Sequence, residues 1–306
     1  STHVNFSNVS GDNTWSGYVR LHNYYPYARI DVNPGSTLTI SGIIEPHSGS
    51  VGSLTKVGDG TLILTHPNTY TGPTYVDEGT MLVHSSILTS PSVTVAPGAT
   101  LGGTGEVPAI DGGGLVSPGT SPGILTATSV DPSVASGGLD FAFEFTATSP
   151  DYADATGSLN DVLRLTDPSA PFAGDLEGSN EVDIYLDVGD LNVGDVLRGG
   201  FYTDRPGDFL SYIGDAHFHF FIAGSGGPVS FGGQDYFALE DMPLVPGFSI
   251  STVPELAHFA GGDAQGYVMQ LTAVPEPATV VLILVGWLAL ALACWRRRVR
   301  SARRVA

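Results

Sequence analysis

A turn followed by a short strand recurs through the first part of this 306-residue chain, and that recurrence constrains the fold more than any other feature. The copies read Pro34-Gly35-Ser36-Thr37-Leu38, Asp59-Gly60-Thr61-Leu62, Glu78-Gly79-Thr80-Met81-Leu82 and Pro97-Gly98-Ala99-Thr100-Leu101, with a weaker one at Pro122-Gly123-Ile124-Leu125. The turn glycines Gly35, Gly60, Gly79, Gly98 and Gly123 stand 25, 19, 19 and 25 residues apart. A period of roughly 20–25 residues suits one coil of a β-solenoid. Glycine supplies the positive φ or tight corner that a coil needs, and the strand after it alternates inward and outward side chains. Leu38 and Ile40, Leu62 and Leu64, and Val93 and Val95 are the expected inward pairs. One coil cannot bury them, whereas stacked coils can. The alternative is a series of antiparallel hairpins in a sandwich.

Within this region, Gly52-Ser53-Leu54-Thr55-Lys56-Val57-Gly58-Asp59-Gly60-Thr61-Leu62-Ile63-Leu64 runs on through Asn68-Thr69-Tyr70-Thr71-Gly72-Pro73-Thr74-Tyr75-Val76 to Glu78-Gly79-Thr80. This stretch resembles the autotransporter-associated, or passenger-associated, β-strand repeat. Val116-Ser117-Pro118-Gly119-Thr120-Ser121-Pro122-Gly123 is similar to the closing segment that follows such repeats. The resemblance implies a right-handed parallel β-helix displayed at a cell surface, with no chemistry of its own. Pro73 departs from the family pattern, which has a second glycine there, and should stiffen that turn without ending the coil. Residues 1–135 are assigned to this repeat region.

Beyond Val130 the turn repeats stop and longer alternating strands begin. Leu139, Phe141, Phe143 and Phe145 alternate with Asp140, Ala142 and Glu144; Val182, Ile184, Leu186 and Val188 alternate with Asp183, Tyr185 and Asp187. Phe218 and Phe220 alternate with His217 and His219. One apolar and one acidic face is the pattern of an antiparallel sheet packed on one side. Residues 136–273 therefore read as an antiparallel, β-sandwich-like domain, placed to cover the open end of the solenoid.

Residues 274–306 are of a different kind. Val274-Pro275-Glu276-Pro277 leads into an uncharged apolar run from Ala278 to Trp295, followed by Arg296, Arg297, Arg298, Arg300, Arg303 and Arg304. At about 1.5 Å per residue, a helix over this run is long enough to cross most of a bilayer's hydrocarbon core of about 30 Å. The arginines place its C-terminal end in the cytoplasm and everything before Val274 outside. A Pro-Glu-Pro motif, a single helix and a basic cluster in this order resemble the PEP-CTERM sorting signal of exported bacterial proteins. That resemblance implies a membrane-bound exosortase that recognises the tail and cleaves near the motif. The alternative is an ordinary C-terminal anchor with a proline-stiffened neck.

Charge is divided just as sharply. The 273 residues before the motif carry 30 acidic and 6 basic side chains, and the tail carries the other six basic ones. An exterior so acidic repels nucleic acid and anionic membranes, which excludes a nucleic-acid partner. The single cysteine, Cys294, lies in the apolar run, so no disulfide staples the exported part. No signal peptide stands before Ser1, and the sequence reads as a mature form or a C-terminal fragment.

No catalytic residue, metal site or cofactor is assigned. His217 and His219 share a strand face but lack a third ligand at motif spacing, and read as a solvent face. Asp151, Asp154 and Asp161 lack the alternation and glycine of a calcium loop, and read as solvated. There is no nucleophile elbow, phosphate-binding glycine loop or His-Glu-x-x-His. The expectation is an all-β, non-enzymatic surface or matrix protein, sorted by an exosortase and held by the C-terminal helix until processing. Its expected role is structural or adhesive within extracellular polysaccharide. A secreted β-helix carbohydrate-active enzyme with the same tail is the alternative, and a receptor that keeps its anchor is a third.

Overall fold

The computed structural model describes residues 5–22, 28–120, 122–132, 137–146, 160–167, 182–188, 196–203, 218–223, 229–231, 234–238, 248–259 and 262–273. These residues form strands and turns, with no helix among them. The first coil contains β1 (Asn5–Asn8), β2 (Asp12–Trp15) and β3 (Val19–Leu21), and the second contains β4 (Ala28–Val32), β5 (Thr37–Ile40) and β6 (Ile44–Pro46). The third and fourth coils have two strands each: β7 (Leu54–Val57) with β8 (Thr61–Leu64), then β9 (Thr74–Val76) with β10 (Thr80–Val83). Next come β11 (Ser92–Val95), β12 (Thr100–Gly103) and β13 (Glu106–Val107), then β14 (Ala109–Gly112), β15 (Leu115–Pro118) and β16 (Ile124–Ala127). The chain continues with β17 (Asp140–Phe145), β18 (Val162–Leu165), β19 (Val182–Val188), β20 (Val196–Thr203) and β21 (Phe218–Ala223). It closes with β22 (Val229–Phe231), β23 (Gln234–Ala238), β24 (Phe248–Phe259) and β25 (Gly262–Ala273).

Successive strands are dealt in rotation onto separate faces. The first sheet has the order β1-β4-β7-β9-β11-β14, and the second runs β2-β5-β8-β10-β12-β15-β17-β19-β21-β23-β22. The third face begins with the pair β3-β6 and resumes as β13-β16-β18-β20-β25-β24. All pairs from β1 to β16 are parallel and in register, the topology of a parallel β-helix.

Register explains the sequence repeat. Leu38, Leu62, Met81, Leu101, Val116 and Phe141 follow one another down the second sheet. All six are buried, as are Ile40, Leu64, Val93 and Val95. Full burial of such a side chain contributes about 1.5–3 kcal/mol, and here each coil supplies the floor for the next. The outward neighbours Thr37, Thr61, Thr80 and Thr100 form a matching row that is only half-buried.

The strands beyond residue 136 correct the expected pairing. β17 pairs in parallel with β15, β19 with β17 and β21 with β19, while β18 and β20 extend the third face in parallel. Antiparallel pairing begins only where β25 joins β20, β24 joins β25, and β23 joins β21 and β22. The inward faces are as the alternation indicates, with Leu139, Phe141, Phe143, Phe145, Val182, Ile184 and Leu186 buried. Period two fixes which face is apolar and is silent on strand direction. The ladder thus crosses the 135/136 boundary without a break in pairing.

Turn glycines act in two ways. Gly35, Gly79 and Gly98 have φ of 70°, 64° and 84°. Gly60 and Gly123 serve by close approach: a Cβ on Gly60 would strike the Asn33 and Ser36 carbonyl oxygens, and one on Gly123 would lie 2.6 Å from Thr104 Cγ2. At Gly79 both conditions hold, because a Cβ there would lie 2.5 Å from Gly58 O and 2.6 Å from Gly60 O. Around Gly98 nothing lies within 4 Å. Gly98→Ala should therefore cost about 1–2 kcal/mol from backbone conformation alone. Gly79→Ala should cost about 3 kcal/mol or more, because two stacked carbonyls must also move. Urea denaturation of the two variants tests this, and equal costs would rule out the packing contribution.

Candidate functional site

Three places have features beyond simple stacking: the unit spanning residues 54–83, a cleft on the second sheet, and the end of β25. In the first, no strand forms on the third face between β8 and β9, and side chains take over its hydrogen bonds. Asn68 Oδ1 accepts the Ile44 amide at 2.7 Å, and Asn68 Nδ2 donates to the His66 carbonyl at 2.9 Å. Asn68 N then donates to Ser86 O, so the third face stays bonded from coil to coil. The buried Tyr70 hydroxyl lies 2.8 Å from Thr74 Oγ1, which lies 3.0 Å from Ser90 Oγ. Ser90 Oγ reaches the Gly72 and Ser92 carbonyl oxygens at 3.0 Å. Burial raises the Tyr70 phenol above its ordinary range and keeps it protonated, despite the Thr74 hydrogen bond.

Lys56 in the same unit is fully buried and takes a core position, in register between Ile30 and Val76. Its ammonium donates to the carbonyl oxygens of Val57 at 3.1 Å, of Gly58, and of Glu78 at 3.0 Å. The Glu78 carboxylate in turn accepts the Gly58 amide at 2.6 Å. Two consecutive corners are thereby tied together. Burial pushes the Lys56 ammonium down to about 8, against the opposing charges of Glu78, Asp31 and Asp59. In the sequence, the alternation that puts Lys56 two residues after Leu54 is the available signal of its inward position.

The cleft has a volume of about 250 Å³ and is lined by Ser117, Gly119, Thr120, Glu144, Asp161, Tyr185 and Asp187 among others. Glu144 and Asp187 are partners in the β17–β19 register. Below Tyr185, the ring of Phe221 stacks at 5.1 Å. Asp161 corrects the expectation of a solvated loop, because it is buried. Its Oδ1 accepts the Gly123 amide and its Oδ2 the Glu144 amide, both at 2.8 Å. Its own carbonyl accepts Gly200 N, so one residue joins the start of β16, the end of β17 and β20. Burial pushes Asp161 up to about 7; the two amides oppose this, and the Glu144 charge adds to it. Asp140, at the start of β17, is pushed up to about 6 by burial and by Asp183. A half-protonated buried acid beside two carboxylates can donate a proton or hydrogen-bond a hydroxyl-rich ligand.

Among the described residues no group of three His, Cys, Asp or Glu side chains is placed to hold a metal ion. Asp151, Asp154 and His217 lie outside the described residues, and His219 is placed only as backbone in β21, opposite Asp183. The sorting residues Val274, Pro275, Glu276 and Pro277, the run from Ala278 to Trp295 and the arginines Arg296, Arg297, Arg298 and Arg300 also lie outside them. What the structure places is the residue before them, Ala273, as the last residue of β25.

Comparison with known families bears on two of these places. Residues 54–83 match the passenger-associated-transport repeat, and residues 273–298 match the PEP-CTERM protein-sorting motif. The chain carries both elements. Comparison with curated proteins finds no match. The passenger-associated match coincides with β7–β10 and includes Lys56, Asn68, Tyr70, Glu78 and Gly79. The PEP-CTERM match points to an exported protein sorted by an exosortase.

Below about pH 4, Asp161 is protonated in both the folded and the unfolded chain. As pH rises toward about 7, the unfolded chain ionises first while the fold retains its proton. Stability therefore falls across that window and levels off above it. Asp161→Asn removes that loss along with one hydrogen-bond acceptor. Its urea midpoint should change less between about pH 5 and about pH 8 than the wild-type midpoint does.

Proposed function

We propose that the protein is a non-enzymatic surface or extracellular-matrix component, exported, processed by an exosortase, and structural or adhesive within extracellular polysaccharide. The observation that carries this reading is a sorting motif in the same chain as a long parallel β ladder. A passenger-associated repeat inside that ladder and the acidic composition of the exported part support it. Before processing, Ala278–Trp295 holds the chain in the membrane with the arginine cluster inside. Processing breaks one peptide bond near Val274–Pro277. The acyl carbon passes to water or to an acceptor amine or hydroxyl, and the tail leaves with a newly protonated amine.

Intact-mass measurement on protein from the native host tests this. The wild type should lack the apolar run and arginines, whereas a Pro275→Ala/Glu276→Ala/Pro277→Ala variant should retain them. A tail retained in both would leave a plain membrane anchor.

A second reading, a carbohydrate-active β-helix enzyme with the same tail, is favoured by one feature: Asp161, pushed up to about 7, shares a cleft with Glu144 and Asp187. Incubation with polysaccharide from the host's own matrix separates the two. Retention without turnover is the expected result. Turnover that is lost in both Glu144→Gln and Asp161→Asn would establish the enzyme instead.

A further inference from the structure

The sorting motif has no spacer. β25 is an inner strand of the third face, and its last residues are engaged on both sides. Toward β20, Arg198 pairs with Gln270, Leu197 with Leu271 and Val196 with Thr272. Toward β24, Ile250 pairs with Leu271, Ser249 with Thr272 and Phe248 with Ala273. Val274 follows at once, and the family match begins at Ala273 itself. A processing enzyme that grips an extended segment does so largely through backbone hydrogen bonds. In an antiparallel sheet an inner strand already spends its N–H and C=O groups on its two neighbours. Residues 270–272 therefore have none left for an enzyme, and Ala273 has at most one free side.

We infer that the β24–β25 hairpin controls access to the sorting motif: the exosortase takes its substrate before β25 closes between β20 and β24, and the closed hairpin protects the chain from processing. This rests on the exosortase reading above and adds an order of events to it. Folding of the last strand and cutting of the tail compete for the same backbone groups. The antiparallel β24–β25 pairing spans twelve register pairs, from Phe248↔Ala273 to Phe259↔Gly262, so releasing the whole of β25 breaks all twelve.

Two variants of the full chain test the inference, both in a Cys294→Ala background so that the only thiols are the introduced ones. Ser249→Cys/Thr272→Cys staples a directly opposed pair next to the motif. The second variant inserts about ten Gly and Ser residues between Ala273 and Val274, giving the motif slack beyond the sheet. Pulse-chase labelling in the native host, read by tail loss, should show the stapled chain retaining its tail. The inserted chain should be processed several-fold faster than its parent, and the insertion should restore processing to the stapled chain. Parental rates in both the stapled and the inserted chains would overturn the inference while leaving exosortase processing intact. A parent that keeps its tail, as the triple-alanine variant does, would overturn both.

Discussion

Everything in this molecule depends on in-register stacking of short parallel strands. No coil has a core of its own; Leu62 or Val93 is buried only because the coils before and after supply walls. The same dependence explains the corners. Coils separated by a single strand spacing of about 4.8 Å leave no room at the turns for a side chain aimed along the stack. Glycines such as Gly60 and Gly79 therefore sit where one coil's corner carbonyls meet the next. Where backbone alone cannot maintain the stack, side chains complete it: Asn68 stands in for a missing strand, Lys56 ties two corners, and Asp161 ties three coils.

Much of the ladder was legible in the residues, because a solenoid writes its period into the sequence. The Pro-Gly, Asp-Gly and Glu-Gly turns at Gly35, Gly60, Gly79 and Gly98 each lead within three residues into an outward Thr followed by an inward Leu or Met, and the register aligns those very residues. Beyond Leu139 the alternation still marked the inward faces correctly. It could not reveal that β17, β19 and β21 continue the parallel ladder. A strand with one apolar face looks the same whichever way its neighbour runs, and here the turn signals that carry direction had stopped.

The cleft was less legible for a different reason. Ser117, Glu144, Asp161 and Asp187 are far apart in the chain and meet only through stacking of the later coils. Asp161 carried no local sign of burial, since its amide partners at Gly123 and Glu144 are 38 and 17 residues away along the chain. The sorting motif is the opposite case. Its recognition needs only local order along the chain, and it could be read without any fold.

The linear order of coils along each sheet also gives the protein a length scale. β1 and β2 lie at one end of their sheets, while β25, which leads into the sorting motif, lies beside the opposite edge of its own. Among the described strands, the first coil lies the full reach of the ladder away from the strand that leads into the motif. Adding or removing one repeat would change that reach by about 4.8 Å and leave every surviving contact with an equivalent partner. A lineage can thus lengthen or shorten the ladder by duplicating or deleting some twenty codons at a time, without redesigning a core.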